Sequence, residues 1–132
     1  MGLILRLLVV AGLAVDAIIH IHLAGDMGSR GSGLTEGTLF WIQGVVAALV
    51  AVLVLIRANR LTYGIAFLVA GSALGAVLLY RYVDVGSLGP LPDMYEPVWY
   101  AEKVATTVAE AVATVAAALG LWHVSVRERA SA

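Results

Sequence analysis

Four apolar runs, each close to the length of a membrane-spanning helix, constrain this chain more than any other feature. They cover Leu3 to Ala24, Leu39 to Ile56, Leu61 to Tyr82 and Val98 to His123. A helix needs about 20 predominantly apolar residues to cross the hydrocarbon core of a bilayer. We therefore expect an all-α, polytopic membrane protein that forms a single domain over residues 1–132, with four transmembrane helices in an up-down bundle.

Composition supports this class and argues against others. Of 132 residues, 61% are hydrophobic and 13% are charged, whereas a typical soluble domain has about 25% charged residues. The formal net charge of -1 provides no basic surface, so we expect no nucleic-acid partner. Because the chain has no cysteine, disulfides, thiol redox couples and cysteine-ligated metals are excluded.

The distribution of basic residues predicts the orientation of the helices. Lysine and arginine concentrate in the short cytoplasmic loops of membrane proteins. Most of the arginines in this chain fall at one end of the predicted bundle, namely Arg6, Arg57, Arg60, Arg127 and Arg129. We therefore expect a multi-pass protein of the plasma membrane with both termini cytoplasmic. The loops at 25–38 and 83–97 are then extracytoplasmic.

Small residues predict where helices pack against each other or against a partner. Gly71 and Gly75 form a GxxxG pair in the third helix. The fourth helix has alanine at every fourth position, at Ala101, Ala105, Ala109, Ala113 and Ala117. Both residue types let helix backbones approach closely in lipid. We interpret them first as packing contacts within a tight bundle, and also as the expected surfaces for a homo-oligomer or a larger membrane complex.

Ionisable and polar residues within the apolar runs are the candidate functional residues. A charge inside a bilayer is costly and normally faces the protein interior, where it has a partner. Asp16 and His20 share one helix face because they are four residues apart, and polar groups of the other helices lie at a similar depth. We expect an outward-opening polar pocket lined by Asp16, His20, Gln43, Arg81, Glu102, Lys103, Thr106 and Glu110.

Each of these residues also has a purely structural interpretation. Asp16 and His20 can form an internal hydrogen-bonded pair, Glu102 can pair with Lys103 and Arg81, and the threonines can bond to carbonyls of their own helix. Taken together, polar groups from four helices at one level favour a site. Three carboxylates against two bases leave room for a protonated His20, a bound cation or a shared proton.

No cofactor is predicted from the motifs. His20 and His22 are the candidate metal ligands, although residues two apart point about 200° away from each other on a regular helix. His20 and His123 lie at opposite ends of the predicted bundle, so one subunit does not supply the two axial histidines of a haem. A site for a metal ion, or for a haem shared across a dimer, is not excluded by the sequence.

The third connecting segment, "VDVGSLGPLPDMYEP", contains all three prolines of the chain. Proline restricts the backbone, and the aromatic residues that follow suit a membrane interface. The segment is then either a stiff interfacial cap or a lid over the pocket. The lid candidates are Asp93, Tyr95, Glu96 and Trp99.

Two stretches carry a resemblance to a known group. The run "LLYRYVDVGSLGPLPDMYEPVWYAEK", together with "DAIIHIHLAG" in the first helix, resembles small uncharacterised four-helix integral membrane proteins of high-GC actinobacteria. The resemblance extends over nearly the whole chain. It implies the same four-helix fold, and it implies no catalytic residue because that group has no assigned activity.

Three functional classes follow from these observations. The first is a protein that binds or moves a small cation, proton or polar ligand through the pocket. The second is a structural or accessory subunit of a larger membrane complex. The third is a redox subunit linked to haem or quinone. No nucleophile–base pair or cofactor fingerprint is present, so enzyme chemistry is the least favoured class.

Overall fold

The computed structural model describes residues 2–27, 35–87 and 89–131. This part of the chain contains four helices: α1 (Gly2–Met27), α2 (Glu36–Ile56), α3 (Arg60–Tyr82) and α4 (Ala101–Ser131). Each is long and apolar enough to cross a membrane. The predicted all-helical, four-helix architecture is therefore confirmed. Half of the first predicted loop, residues 28–34, lies outside the described residues.

Polar caps determine where α2 and α3 begin. α2 begins at Glu36, before the predicted start, because Thr35 precedes it as N-cap and its hydroxyl accepts a hydrogen bond of 3.2 Å from the backbone N–H of Thr38. Asn59 caps α3 through a reciprocal pair of hydrogen bonds with Thr62. Such caps satisfy backbone N–H groups that lack a partner inside the helix. Hydropathy does not reveal them.

α4 begins later and ends later than the apolar run from which it was predicted. It begins at Ala101 and not at Val98, and it continues past His123 to Ser131. The final segment, "VSVRERAS", contains neither glycine nor proline, so nothing in it ends the helix. Hydropathy locates the part of α4 that can cross a membrane, while the helix itself continues as an exposed polar extension.

Neighbouring helices run antiparallel around the bundle. α1 packs between α2 and α4, and α3 packs against the same two helices on the opposite side. Arg6, at the start of α1, donates hydrogen bonds to carbonyl oxygens at the end of α2, those of Val54 (3.0 Å) and Leu55. Near the other end of α1, the ring of His20 contacts the ring of Phe40 near the start of α2. These contacts establish the up-down order.

The core consists of aliphatic residues and alanines on one stripe of each helix, with one tyrosine. Its fully buried members include Val9, Leu13, Ala47, Val54, Ala66, Ala70, Ala113 and Ala117, and Tyr63 is nearly so. Many large apolar side chains face outward on all four helices. A continuous apolar exterior is unusual for a soluble protein and suits a bundle surrounded by lipid.

Two glycines bring α1 into close contact with both of its neighbours. A Cβ atom at Gly12 would lie 2.7 Å from the carbonyl oxygen of Ala109 and 2.9 Å from the Cβ of Ala113 in α4. A Cβ atom at Gly44 of α2 would lie 2.5 Å from the Cγ1 of Ile21 in α1. Only a residue without a side chain fits at either position. α1 is therefore held tightly between α2 and α4.

The predicted GxxxG pair makes looser contacts. A Cβ atom at Gly71 would meet the methyl group of Thr114 at 3.7 Å, which is an ordinary contact. At Gly75 no atom lies within 4 Å among the described residues. The close contacts therefore occur at Gly12, at Gly44 and at Gly120, where a Cβ would lie 2.5 Å from the ring of Tyr63, and not at the repeated motif.

The alanine row of α4 does not form a single face. Ala101 and Ala105 are exposed, whereas Ala109, Ala113 and Ala117 are buried inside the bundle. Each step of four residues turns a helix by about 40° beyond a full circle. The row therefore winds from the outside of the bundle to its interior, and α1 already covers part of its inner half.

Candidate functional site

A cavity of about 450 Å³ separates α2 from α3, beside the loop that precedes α4. α2 and α3 pack less extensively than the other neighbouring pairs. Most of the wall is apolar, formed by side chains such as Leu39, Phe40, Ala73, Val77, Leu91 and Met94. Polar side chains come mainly from α1, α4 and the start of α2. The predicted polar pocket is thus a mostly apolar cavity with a polar wall.

Asp16 is at the centre of a buried hydrogen-bond network behind this wall. Its side chain is fully buried. Oδ2 accepts a hydrogen bond of 2.8 Å from the amide of Gln43, and Oδ1 lies 3.1 Å from the hydroxyl of Thr106. Nδ1 of His20 lies 2.7 Å from the same Oδ1. These donors compensate Asp16 for the loss of water, as a buried carboxylate requires.

Hydrogen bonding sets the orientation of the His20 ring. Besides Oδ1, Nδ1 lies 3.0 Å from the backbone carbonyl oxygen of Asp16. Both of these neighbours are acceptors, so Nδ1 must be the donor. In the neutral ring the lone pair is then on Nε2, which lies 4.0 Å from Oε1 of Glu110. His20 thus directs an acceptor toward Glu110.

Glu110 is a buried carboxylate whose hydrogen bonds are incomplete. Its residue exposure is 1%, and it lines the cavity. Oε1 lies 3.1 Å from the hydroxyl of Thr106, which has a single proton and faces Asp16 as well. Among the described residues, no hydrogen-bond partner reaches Oε2. An unpaired buried acceptor is costly, so this oxygen would be stabilised by a donor from the cavity.

The face of α4 that carries this network follows alternating steps of three and four residues. Lys103, Thr106, Glu110 and Ala113 are all buried, and this spacing keeps residues on one side of a helix. Strict steps of four, such as the step from Thr106 back to Glu102, turn away from that side. Glu102 is therefore exposed and lies outside the network, contrary to the prediction.

Lys103 lines the cavity, but its ammonium group is already bonded. Nζ donates to the carbonyl oxygens of Glu96 (2.6 Å) and Val98 (3.0 Å) and lies 3.6 Å from the carboxylate of Glu96. Lys103 therefore fixes the end of the loop to α4 through two hydrogen bonds and an ion pair.

Arg81 is not part of the cavity wall. Its guanidinium carbon lies 4.7 Å from the ring centre of Tyr82 and 5.5 Å from that of Trp99. Stacking on aromatic faces stabilises a cation by cation–π attraction. The predicted ion pair of Arg81 with Glu102 does not form in the described part of the chain. Arg81 lies at the predicted depth along α3. Its position around the helix axis, however, directs its side chain away from the cavity wall.

One of the four predicted lid residues, Glu96, lines the cavity. Its backbone N–H donates a hydrogen bond of 2.9 Å to the carbonyl oxygen of Tyr80, which ties the loop to α3. Asp93 accepts a hydrogen bond of 3.1 Å from the backbone N–H of Tyr95, and both are exposed. Trp99 packs on the outside against Tyr82. The loop is a cap over the cavity, with Glu96 as its polar member.

Acidic groups also surround Tyr100 at the loop end of the cavity. Burial, together with the nearby carboxylates of Glu96 and Glu36, raises the pKa of the Tyr100 hydroxyl to about 12. All three residues line the cavity. Sequence analysis missed Glu36 because it lies in the first turn of α2, before the predicted start of that helix. Its place directly after the cap residue Thr35 is the signal that identifies it.

Asp16, His20 and Glu110 are close enough to be considered as metal ligands. One ligand atom from each lies within 4.8 Å of the others. However, both oxygens of Asp16 already accept hydrogen bonds, which leaves His20 and Glu110 with free acceptor atoms. His22 is exposed and lies 3.6 Å from Asp26, so it takes no part in this group.

Comparisons with known proteins add no relative. No protein-family model matches the chain, no curated protein matches it, and no solved structure matches it. The resemblance to small actinobacterial membrane proteins stays a prediction. The geometry of the cavity and its polar wall is the basis for the functional proposal.

Proposed function

We propose that this protein binds or moves a small cation, proton or polar ligand in the cavity between α2 and α3. The observation that carries the proposal is the oxygen Oε2 of Glu110, which is buried, lines the cavity and lacks a partner among the described residues. The apolar walls accommodate the apolar part of a ligand, and the wall of α1 and α4 receives its polar group. Ligand pockets commonly combine these two features.

A count of donors and acceptors supports a cation or proton over an anion. Asp16 and Glu110 both face the one hydroxyl proton of Thr106, and Thr106 donates to one carboxylate at a time. The carboxylate that Thr106 does not serve is then satisfied either by one further proton or by a hydrogen-bond donor of a ligand. Both belong to the class of ligand that we propose.

Binding of an uncharged amphiphile tests the cavity itself. We expect phenylbutanol to bind the purified protein in nanodiscs, measured by calorimetric titration. Ala73→Phe places a ring in the cavity wall and should abolish binding, whereas Ala105→Phe, on the exposed side of α4, should leave it intact. Identical binding by both variants, or no binding by the wild type, would contradict the proposal.

Transport is tested in proteoliposomes. Wild-type protein should increase the flux of protons across the vesicle membrane in response to an imposed gradient, and Glu110→Gln should abolish that increase. Glu102→Gln is the matched control because Glu102 is the exposed glutamate of the same helix. Equal flux in wild type and Glu110→Gln would contradict the role of Glu110 in moving an ion.

We further propose that the protein is a multi-pass plasma-membrane protein with both termini in the cytoplasm. Arg60 lies 3.5 Å from Glu128, and Arg6 bonds the end of α2, so these arginines cluster at the end of the bundle that contains the termini. In intact cells, a membrane-impermeant maleimide should label the Ser87→Cys variant. It should label the Ser131→Cys variant only after the cells are permeabilised. The reverse pattern would contradict this orientation.

An accessory role is the second candidate, and one observation favours it. Gly75 is open, with no described atom within 4 Å of a Cβ at that position, so another helix can approach there as close packing in lipid requires. Extraction in mild detergent should recover a homo-oligomer or larger complex that Gly75→Leu disrupts. A monomer in both cases would contradict this role.

A further inference from the structure

We propose that the ligand carries a primary ammonium group, which donates hydrogen bonds to Oε2 of Glu110 and Nε2 of His20. This inference rests on the proposed function, because it names the ligand class for the same cavity. The geometry provides two acceptor atoms without a hydrogen bond among the described residues.

The acceptor pair is preorganised by the residues behind it. Asp16 holds the His20 ring through Nδ1 at 2.7 Å, which leaves Nε2 as the acceptor on the side of Glu110. Thr106 lies 3.1 Å from Oε1 of Glu110, so the carboxylate is restrained while Oε2 stays unbonded. Both Glu110 and His20 line the cavity. A ligand therefore meets two acceptors whose side chains are already oriented by their neighbours.

The spacing of the acceptors suits an ammonium group. Two acceptors that share one tetrahedral ammonium at ordinary hydrogen-bond lengths lie about 4.6 Å apart. Nε2 of His20 lies 4.0 Å from Oε1 of Glu110, and the proposed acceptor Oε2 is the other oxygen of that carboxylate. One ammonium nitrogen can bridge this pair after a small adjustment of either side chain.

The charges of the cavity wall exclude an anionic ligand. Lys103 is the lysine that reaches the cavity, and its ammonium group donates to the carbonyl oxygens of Glu96 and Val98 and pairs with the Glu96 carboxylate at 3.6 Å. Arg81 stacks on Tyr82 and Trp99 away from the wall. In contrast, three glutamates line the cavity, namely Glu36, Glu96 and Glu110. An ammonium ligand is attracted by these carboxylates, and an anion is repelled.

An organic ammonium fits better than a metal ion. A bound zinc ion takes at least three protein ligands even at an open catalytic site. Here both oxygens of Asp16 already accept hydrogen bonds, so a metal would share this carboxylate with Gln43 and Thr106. The rest of the wall is mostly apolar. Such a wall favours the hydrocarbon part of an organic cation.

The experiment compares three ligands that share one apolar body. Phenylbutylamine has a primary ammonium group, its trimethylammonium analogue has the same charge without N–H donors, and phenylbutanol has no charge. Calorimetric titration of the protein in nanodiscs should give an affinity for phenylbutylamine at least about tenfold above that of the other two, because two charge-assisted hydrogen bonds are added.

Matched variants locate the interaction. Glu110→Gln and His20→Ala should lower the affinity for the amine to that of the alcohol, whereas Glu102→Gln and His22→Ala, at exposed positions, should behave as wild type. Equal affinities for the amine and its trimethylammonium analogue would overturn the proposed hydrogen bonds from N–H donors of the ligand. Equal affinities for the amine and the alcohol would overturn the ammonium class. The proposed function stands in both cases.

Two further outcomes separate the remaining alternatives. If none of the three compounds binds, the proposed function fails together with this inference. Titration with Co²⁺ tests a metal directly, since a coordinated ion gives a visible absorption band. A band that is lost in His20→Ala but kept in His22→Ala would assign the acceptor pair to a metal ion and overturn the ammonium proposal.

Discussion

The two sides of this bundle differ in how closely their helices approach. On one side, which we name the seam, α1 and α4 meet at Gly12, Asp16, Thr106 and Ala109, so closely that a Cβ at Gly12 would collide with the α4 backbone. On the other side, α2 and α3 separate around the cavity. In the seam Asp16 has its hydrogen bonds satisfied, while Glu110 at the cavity keeps one oxygen unbonded.

The difference suggests that the two sides depend on each other. A polar group can be left unbonded in a buried place only if its neighbours hold it there. The seam supplies this support, because Asp16 orients His20 and Thr106 restrains Glu110. The cavity supplies the space into which both groups face. We therefore regard the seam as the frame and the cavity as the binding region.

The largest effect is expected from Gly12→Leu, which breaks the seam. The new side chain meets Ala109 and Ala113 at distances that leave no room for a Cβ. Overpacking against a helix backbone should lower the free energy of unfolding by about 3 kcal/mol or more, measured by circular dichroism in mixed micelles. Gly75→Leu is the control, since its position is open, and an equal loss there would contradict a special role for Gly12.

A smaller effect is expected from Asp16→Ala, which keeps the seam but removes its acceptor. Gln43, His20 and Thr106 each lose the acceptor of Asp16. Unpaired buried donors should lower the free energy of unfolding by about 2 kcal/mol in total. Asp26→Ala, at the exposed aspartate of the same helix, should change it by less than about 0.5 kcal/mol. Similar values for both variants would show that the network contributes no stability.

The smallest effect is expected from Lys103→Met, which loosens the cavity without touching the seam. The substitution removes hydrogen bonds to the carbonyl oxygens of Glu96 and Val98. Amide hydrogen exchange in the loop should accelerate by about tenfold, while exchange in α1 stays unchanged. Val104→Met is the control at an exposed neighbouring position. Acceleration throughout the bundle would show that Lys103 supports the whole fold and not the loop alone.

Hydropathy predicted the helices because the length and composition of a membrane-spanning helix are set by the bilayer and not by its neighbours. The rotation of each helix about its axis is set by packing, which local sequence does not contain. This is why Glu102 and Arg81 were placed in the site at the right depth but in the wrong direction. Asp16, His20, Thr106 and Glu110 were predicted because several of them share a helix face.

The glycines illustrate the same limit. A repeated motif drew attention to Gly71 and Gly75, whereas the close contacts occur at isolated glycines such as Gly12 and Gly44. One signal was present: Gly12 lies four residues before Asp16 and therefore on the face that carries the buried carboxylate. A small residue beside a buried polar one indicates close helix packing more directly than a repeat of small residues.

Thiol labelling tests most directly the claim that the seam is closed and the cavity open. The chain has no cysteine, so single substitutions report without background. Ala73→Cys places a thiol in the cavity wall, and Ala113→Cys places one in the seam, where the alanine is 0% exposed.

The expected result is that N-ethylmaleimide labels the Ala73→Cys variant at least about tenfold faster than Ala113→Cys, because the buried site reacts only after local opening. Phenylbutylamine should protect the Ala73→Cys thiol and leave the other unaffected. Equal labelling rates at the two positions, or an unreactive thiol in the Ala73→Cys variant, would contradict the account.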